Sequence, residues 1–139
     1  MEQEESKMII IDGKNAIMGR LASYVAKKAL IGKEIIILNS DEVIIMGNKK
    51  NIIERYKQKI KMGGHSLKGP KIIKSPERIL KRTIRGMLEH KKGRGSDAID
   101  RIKCYNKTPK EYENLSKITA GKEKHGNSIT LKKLTEMIK

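Results

Sequence analysis

The stretch MIIIDGKNAIMGRLASYVAKKALIGKEIIIL, Met8–Leu38, decides the fold class. Met8–Ile11 is a short apolar run that closes in Asp12-Gly13, which reads as a buried strand entering a turn. From Ile17 the period changes. Leu21, Ala22, Val25, Ala26, Ala29 and Leu30 recur at i, i+1, i+4 and i+5, predicting an amphipathic helix over 17–31 closed by Gly32. Glu34–Leu38 is then a second buried strand. A strand, a helix and a second strand in this order are the unit of an α/β layer structure with a largely parallel sheet. The 22 isoleucines of the chain suit strands that are covered on both faces.

The pattern continues outward from this unit. Val43–Met46 is a candidate third strand, and Asn48 caps a helix over about 49–60 that turns Ile52, Ile53, Tyr56 and Ile60 inward. Residues 61–75, KMGGHSLKGPKIIKS, contain three glycines, one proline and four lysines and read as a long surface loop. Ser75-Pro76 restarts a helix, with serine as N-cap and proline at the first helical position, running to about Leu88. A basic loop, Lys91–Gly95, follows. Arg101–Tyr105 is expected to be the final strand, and a short helix capped by Ser128 is expected to turn Leu131, Leu134 and Ile138 to one side. The acidic start, residues 1–7, is expected to be a flexible extension to a single domain over 8–139.

Charge narrows the function. The chain carries 32 Lys and Arg against 16 Asp and Glu, a formal +16. Residues 1–45 have a net charge of −1, residues 46–95 of +13 and residues 96–139 of +4. Positive charge concentrated in the middle of the chain makes a local field that attracts a polyanion. A solvated basic face is the alternative, but solubility alone is served by mixed-sign charge. No apolar run approaches the ~20 residues that span a bilayer, and the acidic N-terminus does not resemble a signal peptide.

The helix from Pro76 shows where that field is aimed. With Arg78 at zero and about 100° per residue, Lys81, Arg82 and Arg85 fall within about 60° of it. Ile79, Leu80, Thr83, Ile84, Met87 and Leu88 cover the remaining faces. Four cations in a row, flanked only by Glu77 and Glu89, read as a phosphate-facing surface, because the planar arginine fork grips a phosphate through two hydrogen bonds. The two glycine- and lysine-rich loops beside this helix let the main chain approach a ligand while lysines neutralise phosphates. His65 and His90 either hydrogen-bond RNA or sit in solvent. With His125 they lack the spacing of a metal site, and the single Cys104 removes any multi-cysteine zinc centre or internal disulfide framework.

Other chemistry is weaker. Asp12–Gly19 joins a strand to a helix, where nucleotide loops occur, yet it matches neither G-x-G-x-x-G nor G-x-x-x-x-G-K-[ST], so it reads as a tight connection. Asp41 and Glu42 have no histidine or lysine nearby that completes a catalytic set. Cys104, inside a strand, reads as a small core residue. Tyr24, Tyr56, Tyr105 and Tyr112 are the only aromatic residues besides the histidines, so binding should rest on backbone and shape rather than on many stacked bases. A nucleotide-dependent enzyme using Gly13–Gly19 and a basic protein of DNA or a membrane surface are the rival readings. The absence of a helix-turn-helix or zinc pattern argues against DNA, and the absence of Trp and Phe argues against an inserting helix.

Several segments together resemble the ribosomal protein L13 family. They are Asp12–Lys27, Leu38–Asp41, Ile45–Asn48, Ser75–Ile79, Arg85–Leu88, Lys91–Gly95 and Arg101–Tyr105, spanning about residues 8–109 in the same order. Ser75–Ile79 and the C-terminal helix are similar to the archaeal and eukaryotic branch. Glu89 stands where the family commonly has proline, and Lys107-Thr-Pro109 replaces a Gly-Ile-Pro-like ending. The resemblance implies a three-layer α/β/α fold with a short, mainly parallel sheet of about four strands. It also implies a non-catalytic constituent of the large ribosomal subunit, cytoplasmic and within the ribosome, that binds large-subunit rRNA and supports assembly. Its partners would be that rRNA and neighbouring subunit proteins, with no cofactor, metal, membrane or small-molecule substrate. The candidate RNA contacts are Lys57, Lys59 and Lys61 at the end of one helix, then His65, Lys68, Lys71 and Lys74 in the loop. They continue with Arg78, Lys81, Arg82 and Arg85 on the second helix, and Lys91, Lys92 and Arg94 beyond it.

Overall fold

A computed structural model describes residues 8–62, 74–113, 117–119, 121 and 126–138. Strand β1 (Met8–Asp12) leads into helix α1 (Met18–Ile31), which stops where Gly32 adopts a left-handed conformation at φ 109°. Strand β2 (Glu34–Leu38) returns alongside β1 in parallel, with Met8 opposite Glu34 and Asp12 opposite Leu38. A short 3-10 turn, Ser40–Glu42, precedes β3 (Ile44–Met46) and helix α2 (Lys49–Lys61). Asn48 caps α2 as its sequence position suggests, its side chain accepting the Lys50 N–H at 2.9 Å. Helix α3 (Pro76–Gly86), helix α4 (Gly93–Asp100) and strand β4 (Ile102–Cys104) follow.

The parallel sheet has the order β4-β2-β1-β5, where β5 is Ile118–Thr119. Strand alternation divides its side chains. Ile11, Ile35, Ile37 and Ile102 join the main core, together with Leu21 and Val25 of α1, Leu80 and Ile84 of α3, Ala98 of α4 and Leu131 and Leu134 of the C-terminal helix. Ile10, Ile36 and Leu38 form a smaller cluster on the opposite face, covered by Tyr105 and by Tyr112 of the 3-10 turn Lys110–Tyr112. The layers are therefore unequal: the described helices bury their apolar residues on one face, while two tyrosines cover the other.

Several sequence expectations need correction. Lys91–Gly95 is not wholly a loop, because helix α4 begins at Gly93; glycines mask its helical pattern. The strand at Arg101–Tyr105 is not the last. Strand β5 and strand β6 (Ser128–Thr130) come after it, and β6 pairs antiparallel with β3 in a separate two-stranded sheet. Ser128 lies within β6, and helix α5 (Leu131–Ile138) is instead capped by Thr130, whose Oγ1 accepts the Lys133 N–H at 3.2 Å. Helix α3 ends two residues before Leu88, although Leu88 is still buried in the core. Ser75 sits at the N-cap of α3 but makes no capping hydrogen bond with its side chain.

Candidate nucleic-acid interface

The core fixes how α3 presents its charges. Ile79, Leu80 and Ile84 are buried against α1 and β4, so Arg78, Arg82 and Arg85 are left exposed and Lys81 half-buried. Truncating any one of the three apolar anchors to Ala should cost about 2–5 kcal/mol, and the cation row would lose its seat. The helix is flanked by two clefts. One, between α2 and α3, has a volume of about 180 Å³ and is lined by Tyr56, Lys59, Arg82 and Thr83 among others. The Lys59 ammonium lies 5.3 Å from the Tyr56 ring centroid. Burial raises the Tyr56 phenol above its usual range, and the nearby Arg55 and Arg82 guanidinium groups partly offset this. The structure thus brings Lys59 of one helix and Arg82 of the next to a single cleft.

The second cleft, of about 400 Å³, lies between α3 and strand β4 and is lined by Glu77, Arg78, Lys81, Lys103, Cys104 and Tyr105. Lys103 and Tyr105 are absent from the sequence-derived set. The signal available for Lys103 was strand alternation, which puts it outward from Ile102 and Cys104. Burial opposes the charge of Glu77, but hydrogen bonds involving Ser75, its own backbone and Asn106, with Arg78 beside it, hold its carboxyl below the usual value. Burial pushes the Cys104 thiol up to about 12, so it stays protonated, in keeping with a packing role.

The remaining candidates are less gathered. Lys57, Lys61 and Lys74 are exposed and are not among the described residues that line either cleft. Lys91 and Lys92 are exposed on the turn before α4, and Lys92 pairs with Glu89 at 3.7 Å. Arg94 lines a third cleft, with Leu30, Met87 and Glu89. His65, Lys68 and Lys71 lie outside the described residues. His90 is exposed. Not every cation is available to a partner: Arg101 donates from Nη1 to the Ala29 carbonyl at 2.9 Å, closing the C-terminal end of α1.

The strand-to-helix connection is packed as a structural turn. A methyl group on Gly13 would lie 2.9 Å from both the Leu38 carbonyl oxygen and Val43 Cγ2. At the start of α1 the Ile17 N–H already donates to the Gly121 carbonyl at 2.9 Å. The place a phosphate would take in a nucleotide loop is filled by the chain itself.

The family model described as ribosomal protein L13 matches residues 6–111. The chain belongs to the ribosomal protein L13 family. Among curated relatives, the large ribosomal subunit protein uL13 of Methanococcoides burtonii is 46% identical over 106 residues, covering 76% of each chain. That of Methanocaldococcus jannaschii is 44% identical over 115 residues, covering 81% of this chain and 84% of the relative. The Thermoplasma volcanium protein is 42% identical over 113 residues, covering 80% and 82%. These relatives place the chain with the archaeal L13 proteins. At two positions singled out in the sequence, Glu89 pairs with Lys92, and Thr108 Oγ1 donates to Asn39 Oδ1 at 3.3 Å.

Proposed function

We propose that the chain is a non-catalytic constituent of the large ribosomal subunit that holds large-subunit rRNA through phosphate contacts made by its basic middle section. The observation that carries this reading is the division of α3, with Ile79, Leu80 and Ile84 buried and Arg78, Arg82 and Arg85 exposed, and cations lining the cleft on either side. The relatives named as large ribosomal subunit proteins support the ribosomal setting. Lys57, Lys59, Lys61, Lys74, Lys91, Lys92 and Arg94, with His65, Lys68 and Lys71, extend the same surface in this reading. The α/β body serves as a rigid mount, and affinity comes from counterions released as phosphates are neutralised. Neighbouring subunit proteins are its other partners, and its place is within the ribosome.

The test is the affinity of the chain for refolded large-subunit rRNA as salt is raised. With 6–10 phosphate contacts, affinity should fall about 10³–10⁵-fold between 50 and 200 mM salt. A nearly flat salt dependence would overturn the mechanism. Replacing Arg78, Arg82 and Arg85 together by Ala should weaken binding and shallow the salt slope by about 3. Unchanged affinity in that variant would show that the α3 face does not meet RNA.

A further inference from the structure

The cleft between α3 and β4 has a composition that phosphate neutralisation alone does not require. Arg78, Lys81 and Lys103 supply three cations, and Glu77 is the one carboxylate among the described residues that line it. Tyr105, which also packs against Ile10, Ile36 and Leu38 of the other sheet face, completes the lining. The ring of Tyr112 braces it, 6.0 Å away between centroids and inclined at 39°. At the same place, Glu77 Oε2 and Asn106 Oδ1 are buried acceptors without hydrogen-bond partners among the described residues. A volume of about 400 Å³ falls within the range of small-molecule sites, about 300–1,000 Å³, whereas the α2–α3 cleft, at about 180 Å³, is too small for a whole nucleotide.

We propose that this cleft seats one unpaired nucleotide of the RNA, its phosphate held by Arg78, Lys81 and Lys103 and its base laid against Tyr105. The proposal rests on the RNA-binding reading above and adds a single-nucleotide site to it. Unpaired bases of folded RNA are commonly taken up this way, splayed out and stacked on an aromatic ring while cations hold the backbone. The bracing by Tyr112 fixes the ring before RNA arrives, which reduces the ordering cost of binding. The scarcity of aromatic residues elsewhere makes the site singular: Tyr56, the ring in the other cleft, already has the Lys59 ammonium over it. The carboxylate of Glu77 in the lining disfavours a second phosphate.

Ultraviolet cross-linking of intact large subunits, followed by mass spectrometry of nucleotide-bearing peptides, tests the site directly. The expected result is a mononucleotide adduct on Cys104 or Tyr105. Adducts on α3 or the 91–94 turn with none at 103–106 would overturn the cleft proposal while leaving the RNA-binding reading standing. Absence of adducts anywhere in the chain, in subunits whose other proteins cross-link, would overturn both. In solution, Tyr105→Leu should weaken binding to refolded large-subunit rRNA about 5- to 150-fold, and Tyr105→Phe should restore it. Because Tyr105 also covers Ile10, Ile36 and Leu38, Lys103→Gln provides a variant outside the core. It should reduce the salt slope by about 1. Equal affinity of wild type and both the Leu and Gln variants would refute the site, as would adenosine monophosphate binding as tightly as the RNA.

Discussion

Gly93 and Gly95 stand two residues apart at the start of α4, and substitution by alanine should move stability in opposite directions. A methyl group on Gly95 would lie 2.0 Å from the Glu89 carbonyl oxygen, 2.3 Å from its carbon and 3.0 Å from its Cα. These are backbone atoms and cannot rotate away. Restoring ordinary contact means moving the Glu89 carbonyl from 2.0 Å to about 3.4 Å. That carbonyl also accepts the Lys92 N–H at 3.0 Å, a bond that holds the turn entering the helix. Overpacking of this kind costs about 1–3 kcal/mol, and the weakened hydrogen bond adds about 1 kcal/mol. For a domain of this length the total corresponds to a melting temperature about 10 °C lower. Among the described residues, nothing lies within 4 Å of a methyl group on Gly93. There the loss of unfolded-state entropy should stabilise the protein by about 0.4–1 kcal/mol. Thermal melts followed by circular dichroism compare the two variants directly. If Gly95→Ala melted within 2 °C of wild type, or if both variants fell equally, the packing of Glu89 on α4 would be wrong. The consequence reaches the proposed RNA surface, because the segment forced to move carries Lys91 and Lys92.

Two further perturbations separate structural groups from functional ones. Arg101→Ala should lose about 1.5–3 kcal/mol through the charged hydrogen bond to Ala29, shifting the urea midpoint by about 1 M, with rRNA affinity changed less than about twofold. A tenfold loss of affinity in a folded variant would mean that Arg101 faces RNA. Cys104 titrates in the unfolded chain near 9 but is held protonated to about 12 in the fold. The folded state therefore keeps a proton that the unfolded state gives up. The contribution is fully present below pH 9 and is lost as pH rises toward 12. The difference in stability between wild type and Cys104→Ala should narrow over that window, and a constant difference would refute the burial of the thiol.

The first βαβ unit was legible because two physical periods change within thirty residues: isoleucines packed on both strand faces, then an i, i+4 stripe from Leu21 to Leu30. The exposed row on α3 was legible for the same reason, since burying Ile79, Leu80 and Ile84 fixes where Arg78, Arg82 and Arg85 must point. Helix α4 was hidden by Gly93 and Gly95, of which Gly95 is demanded by a close approach to the Glu89 backbone six residues earlier, a contact that no periodicity reveals. Strands β5 and β6 are two and three residues long and too short to show alternation. They exist through their pairing with β1 and β3. Lys103 and Tyr105 escaped notice because their role depends on β4 lying at the sheet edge beside α3, a tertiary fact.

The central claim is that this chain lives in the large subunit, bound through its basic section. Sucrose-gradient sedimentation of a cell lysate after a moderate-salt wash, with quantitative detection of the chain, tests it most directly. The account predicts close to one copy per large subunit, co-migrating with that peak, and release from it on replacement of Arg78, Arg82 and Arg85 by Ala. A chain that stays at the top of the gradient, or a triple variant retained at full occupancy, would contradict it.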